Sequence, residues 1–324
     1  RGGRARLPLV DRLQAAGPYV NFFLNPAAVG QLLFETMKKE KARFGNNALG
    51  QGQKVVLEYS QPNTHKEFHV GHLRNASLGS ALVKLYQASG YKIVPVNYIG
   101  DIGAHVAKSL WGYLESTKLE AGSKNLEAVK NKGEYLGKLY VWATKQVEDH
   151  PEYKKEINLI QQKLEAGDKR LTALWKKTRA WSLIQFKKIY QELGVKFTYY
   201  FFESEVERQG KEIVSELLQK GIAKHGEGGA VIVDLKQYGL ETFLILKSDG
   251  TSLYATKDLA LAKRKFAKYK PDLSLHIVDA RQSLYFKQLF KTLELFGFKK
   301  PMAHIPYEFV KLPEGVISSR TGQV

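Results

Sequence analysis

The chain has 324 residues, 44% hydrophobic and 11% aromatic, which is enough for two or three packed units and excludes a disordered polymer. Fifty Lys and Arg against thirty-two Asp and Glu give a net charge of +18, a balance that favours polyanionic partners such as nucleic acid or nucleotide phosphates. Cysteine is absent, so a disulfide framework and a thiolate zinc site are excluded; no 18-residue apolar run marks a membrane span and no signal-peptide pattern opens the chain, so the cytoplasm is the expected compartment.

In chain order, Gly-Pro and Asn-Pro in "AAGPYVNFFLNPAAV" bracket a short β-like run, and a helical pattern follows over Val29–Lys41. "KVVLEYS" then reads as a buried strand, apolar and β-branched without alternation. "HVGHLRNASLGSALVKLYQASG" has apolar residues at Leu73, Leu78, Leu82 and Leu85 and closes on Ser-Gly, as a helix does at its C-terminus. "YKIVPVNYIG" is the next strand, which completes a βαβ unit with parallel strands.

From Val106 to Leu193 the pattern turns long, charged and helical. Alternation resumes with the strand "KFTYYFFES", the helix "EVERQGKEIVSELLQKG", a hairpin-like "GEGGAVIVDL" and the strand "TFLILKS". The helix "ATKDLALAKRKFAKY", the strand "LSLHIVD" and the helix "QSLYFKQLFKTLELFG" complete it. The expected organisation is an α/β chain with a Rossmann-type parallel sheet in two halves, 51–110 and 196–324, around a helical insertion at 111–195, after an N-terminal remnant and linker at 1–50.

Two of the eight histidines, His69 and His72, flank Gly71 where the first strand passes into the first helix. In an open α/β sheet ligands bind off the carboxyl ends of strands, and a helix N-terminus adds oriented amides. Imidazole donors there suit the charge that develops when a triphosphate is attacked. A pair of surface histidines is the plainer alternative, and a metal site would need a third ligand, for which His65 is the nearby candidate. At the far end, "FVKLPEGVISSRTGQV" carries Ser318, Ser319 and Arg320 in a polar, glycine-bracketed stretch suited to a phosphate-covering loop.

These residues resemble a class I aminoacyl-tRNA synthetase, and within that class the arginyl-tRNA synthetases. "HVGH" is similar to the HIGH signature and "VISSRTG" to the KMSKS-type loop. "EYSQPNTHKEFHVGHLRN", "NYIGDIG", "DGTSLYATKDLA" and "GPYVNFFL" follow the arginyl family's order over nearly the whole chain. The resemblance implies ligation of L-arginine to tRNA(Arg) through an adenylate, with ATP and Mg2+, by a cytoplasmic monomer that has no membrane contact.

Carried over by position, Glu58, Gln61, Asn63, Tyr254, Asp258 and Gln282 would line the arginine pocket. His69, Gly71, His72 and Gln282 would hold ATP, and His69, His72, Lys66, Ser318, Ser319 and Arg320 would serve catalysis. A guanidinium is planar with five donors, so acids such as Glu58 and Asp258 are the expected acceptors. The chain departs from the family's pattern at Gln61 and Asn75, where serine is frequent, and at Tyr285, near which a histidine is frequent. Val316 and Ser319 stand where the loop lysines would be and Thr321 replaces another, while Lys66 occupies an upstream place from which some arginyl enzymes supply the missing cation. The resemblance also implies a partial chain, without the start of the N-terminal domain and without the anticodon-binding domain. Two other readings remain open: another nucleotidyltransferase with the same histidine signature, or a catalytically decayed, synthetase-derived RNA-binding protein.

Overall fold

The computed structural model describes residues 8–119, 129–312 and 315–316. Strands β1 (Val10–Ala16) and β2 (Tyr19–Leu24) form an antiparallel hairpin whose turn is carried by Gly17 at φ +60°. Only the second strand was legible as a β-run, because Asp11, Arg12 and Gln14 break the apolar pattern of the first. Helix α1 (Pro26–Glu40) starts earlier than the expected Val29. Asn25 Oδ1 accepts hydrogen bonds from the Ala27 and Ala28 amides, and Pro26 suits a first turn that needs no N–H. The hairpin is exposed on both faces, Tyr19 and Phe22 included.

The central unit begins with β3 (Lys54–Glu58), α2 (Val70–Ala88) and β4 (Lys92–Ile99). Four helices follow, α3 (Ala104–Leu119), α4 (Lys132–Asp149), α5 (Tyr153–Glu165) and α6 (Lys169–Glu192), with small apolar cores of their own around Leu110, Trp111 and Leu136. The chain returns through β5 (Tyr199–Phe202) and α7 (Glu203–Gln219). The short strands β6 (Lys224–His225), β7 (Val231–Val233) and β8 (Phe243–Leu246) make an antiparallel sheet of their own, so "TFLILKS" pairs with the hairpin rather than with the main sheet. Helix α8 (Tyr254–Tyr269), β9 (Leu273–Asp279), α9 (Ser283–Leu295) and β10 (Met302–Tyr307) complete the second half, followed by the small ladder β11 (Lys311–Leu312) and β12 (Gly315–Val316).

The main sheet runs β10-β9-β3-β4-β5 with every pair parallel. The chain leaves β3 towards β4 and β5 and later resumes on the other side at β9, so the connectivity reverses between β3 and β9 and opens a crevice at their carboxyl ends. Strand alternation decides what faces it. Val55 and Leu57 pack with Ala76, Val83, Phe186 and Tyr190 beneath α2 and α6, whereas Val56 joins Val96, Tyr98, Leu259 and Phe286 beneath α7, α8 and α9. Glu58, two residues beyond Val56, therefore points to the α8 face. Among the described residues no helix is long and apolar enough to cross a membrane.

Candidate active site

Off the end of β3, a cavity of about 330 Å³ is lined by Glu58, Gln61, Asn63, Tyr254, Asp258 and Gln282, the six residues singled out as an arginine pocket. They come from four places: the end of β3, the loop after it, the first two turns of α8, and the cap of α9. The loop turns sharply, with Ser60 at φ +79° and Gln61 at +41°. Side chains from neighbouring elements hold that unfavourable backbone: Asn75 Oδ1 accepts the Ser60 amide at 2.7 Å, Asn97 Oδ1 accepts the Gln61 amide at 3.2 Å, and the Ser60 hydroxyl meets Tyr190 at 2.7 Å. Gln61 and Asn75, two positions of departure from the family's pattern, contact each other: Asn75 Nδ2 donates to Gln61 Oε1 at 3.2 Å. Gln61 Nε2 in turn donates to Glu58 Oε1 at 3.3 Å.

The acids of the cavity have different surroundings. Glu58 is 3% exposed, with Oε2 2.8 Å from Lys265 Nζ and Oε1 3.7 Å from His276 Nδ1. Burial pushes its carboxyl up, but the lysine and His276 together hold it well below the usual carboxylate range. Asp258 accepts a hydrogen bond from the Tyr285 hydroxyl on Oδ2, while its buried Oδ1 has no partner among the described residues. Burial raises its carboxyl to about 6, and the negative charge of Glu58 adds to the shift against the Tyr285 bond. Glu203, at the start of α7, is ion-paired with Lys257 and raised by burial to about 7. The buried hydroxyl of Tyr98 also lacks a partner among the described residues. An unpartnered carboxylate oxygen and an unpartnered phenol suit a polar, cationic ligand. Gly100 makes room: a Cβ there would strike Asn63 Oδ1 and lie 3.5 Å from Glu203 Oε1.

His69 is the N-cap of α2, its Nδ1 accepting the Gly71 amide at 3.1 Å, and His72 Nδ1 accepts the His69 amide at 3.3 Å. Both bonds leave Nε2 as the protonated nitrogen, so each neutral ring presents an N–H donor. The rings stack at 3.9 Å. Burial lowers both histidines' pKa, with Lys66 adding to the effect on each and His69 adding to that on His72. A Cβ on Gly71 would meet the His69 ring at 2.9 Å and the Phe309 ring at 3.1 Å. His65, the nearest third candidate for a metal, is buried and bonded to Thr64 and Thr178 at 2.9 and 2.8 Å, and no cluster of three metal-ligating side chains occurs among the described residues.

Lys66 lies over the Tyr140 ring at 4.7 Å and lines a neighbouring cavity of about 240 Å³ with Lys108, Lys247 and Lys257. Tyr254 lines both cavities, and the Lys257–Glu203 pair spans them. Ser318, Ser319 and Arg320 lie outside the described residues. Sequence reasoning missed Glu203, Tyr98, Lys265 and His276. Only Lys265 left a trace, seven residues and two turns after Asp258 on one helix face.

A stacked histidine pair capping the helix after the first strand, above the switch point of a parallel sheet, defines a class I synthetase type of catalytic domain. The chain belongs to that class in its arginine branch: the family model of class I tRNA synthetases (R), catalytic domain, matches residues 33–324. Similar relatives include the arginine–tRNA ligases of Bdellovibrio bacteriovorus, 40% identical over 96% of this chain and 53% of that protein, and of Clostridium acetobutylicum, 37% identical over 97% and 55%. The chain spans about half the length of the curated relatives it matches. The fold is shared with the arginyl-tRNA synthetases of Thermus thermophilus (TM-score 0.72, 23% identity, 98% of this chain and 57% of that one) and Plasmodium falciparum (0.68, 18%, 93% and 52%).

Proposed function

We propose that this chain carries the catalytic centre of an arginine–tRNA ligase, which joins arginine to ATP as an adenylate and then passes it to tRNA. The observation that carries the reading is the buried, half-partnered carboxylate of Asp258 in a cavity that also contains Glu58, Gln61, Asn63, Tyr254 and Gln282. A guanidinium supplies the donors that Asp258 Oδ1 lacks, in the charge-assisted form that is strongest.

With arginine so held, its carboxylate attacks the α-phosphate of ATP; the new O–P bond forms as the bond to pyrophosphate breaks. His69 and His72 donate from Nε2 to phosphate oxygens while negative charge builds on them. Gly71 admits the nucleotide to the start of α2, and Gln282 borders both substrates. Lys66 supplies a cation on the phosphate side, with Ser318, Ser319 and Arg320 as the covering loop. In the second step a terminal ribose hydroxyl of tRNA attacks the arginyl carbonyl and AMP leaves. Mg2+ arrives as part of the substrate Mg-ATP, held by phosphate oxygens. The resemblance adds a requirement for bound tRNA in the first step, and the cytoplasm as the place of work.

Another nucleotidyltransferase would share the histidines but has no use for the acid-lined cavity. A decayed RNA-binding descendant has no reason to keep a buried carboxylate unsatisfied, since such a group costs about 1–3 kcal/mol. The test is arginine-dependent pyrophosphate exchange, with and without tRNA, on the chain extended to the length of its relatives. Exchange with arginine and not with lysine or citrulline is expected; exchange independent of arginine, or none with tRNA present, overturns the reading.

A further inference from the structure

Lys265 is wholly buried in the floor of the acid-lined cavity, with Nζ 2.8 Å from Glu58 Oε2 and 3.3 Å from His276 Nε2. It touches no part of the cavity surface, so it is not a ligand contact. The charged and titratable groups around Glu58 are Lys265 and Asp258 from α8, His276 from β9, and Glu203 from α7, while Tyr98 and Tyr285 are phenols. Burial holds His276 neutral, at about 4. Three carboxylates therefore face two lysines: Glu58 has Lys265, Glu203 has Lys257, and Asp258 has only the Tyr285 hydroxyl.

We propose that Lys265 is a positioning residue that sets the charge of the cavity: by neutralising Glu58 in place it makes that carboxylate a fixed hydrogen-bond acceptor and leaves Asp258 as the single unbalanced charge, so that the cavity selects a side chain of one positive charge. The proposal rests on the arginine reading of this cavity. Without Lys265, Glu58 would be a second uncompensated carboxylate in a low-dielectric site, and it would take up a proton that the incoming guanidinium must expel. With Glu58 removed and Lys265 kept, the lysine would instead cancel Asp258, and preference for a cation would be lost.

The experiment is calorimetric titration of the full-length enzyme with arginine and with citrulline, its uncharged isostere, in buffers of different ionisation enthalpy, which yields affinities and proton counts. Lys265→Met is expected to release about one more proton per arginine at neutral pH than the wild type, as linkage requires for one added protonated carboxyl, and Lys265→Arg to match the wild type. Glu58→Gln is expected to lose roughly tenfold or more of the arginine-over-citrulline preference, the scale of one charge-assisted bond. The Lys265→Met, Glu58→Gln double variant is expected to regain that preference. An unchanged proton count in Lys265→Met, whatever its affinity, makes the lysine merely structural and overturns the proposal. If that variant fails to fold, a double variant no more selective than Glu58→Gln does the same. A wild-type enzyme that does not bind arginine overturns the arginine reading itself, an outcome distinguishable from the other two.

Discussion

Two cavities meet at Tyr254, and their walls carry opposite charge. One is bordered by Glu58, Asp258 and Glu203, the other by Lys66, Lys108, Lys247 and Lys257. In a chain of net charge +18 the lysine-lined cavity is unremarkable and could be found by chance on many faces. The acid-lined one runs against the mean, and its three carboxylates are buried, one of them against Lys257 of the neighbouring wall. Bulk charge draws polyanions to the whole surface at long range, but desolvated carboxylates decide what enters one cavity. On the proposed reading, separation of the two would keep a guanidinium and a chain of phosphates from competing for the same groups.

The strongest test of the phosphate side is His72→Ala, expected to lower adenylate formation about a hundredfold or more, as removal of a transition-state donor does. Arginine affinity should stay near that of the wild type, because His72 does not line the arginine cavity. Single-turnover formation of adenylate measures it, and Lys66→Ala in the same assay should also lose chemistry rather than arginine binding. An untouched rate in His72→Ala would return the pair to surface histidines.

On the acid side, Asp258→Asn should weaken arginine binding by about 1.5–3 kcal/mol and leave ATP binding intact, which calorimetry can read. The mirrored outcomes of these two variants, chemistry lost in one and affinity in the other, are what a phosphate side separate from the acid-lined cavity requires. A common loss in both would merge them.

The pH dependence of arginine binding follows from the raised carboxyls of Asp258, about 6, and Glu203, about 7. A bound guanidinium favours their ionised forms and so lowers their pKa in the complex; the complex then holds fewer protons than the free enzyme. Affinity is fully present above about pH 7 and falls as the pH drops through 7 and 6, by up to about tenfold per unit for one carboxyl. A profile flat from pH 5 to 8 would remove both acids from the pocket.

The smallest expected effect concerns the departure pair. Asn75→Ser should cost about 1 kcal/mol or more of arginine affinity through the lost bonds to Gln61 and to the Ser60 amide, and addition of Gln61→Ser should recover only the Gln61 part in a double-mutant cycle. Additive losses would show the two residues act separately.

Much of the fold was legible because it rests on local pattern. The apolar run Lys54–Glu58, the histidine pair three residues apart, and the Ser-Gly that closes α2 each announce themselves within a few residues. The first hairpin strand was missed because an exposed strand needs no apolar alternation, and β8 was legible as a strand but not as a member of a separate sheet, since pairing partners lie outside any local window. The six cavity residues were found by resemblance, from motifs more than two hundred residues apart, and not by spacing alone.

By itself, then, the sequence determined the class of fold, the junction where the histidines sit, and the types of residue available to hold arginine. What tertiary structure alone decided was which of the acids is free to act. Glu58 and Asp258 both read simply as acids in the sequence, but a lysine 207 residues from Glu58 in sequence lies 2.8 Å from it in space, while Asp258 keeps one buried oxygen without a partner among the described residues. Charge, burial and partner count together fix what a carboxylate does, and all three depend on contacts between elements that the linear order keeps apart.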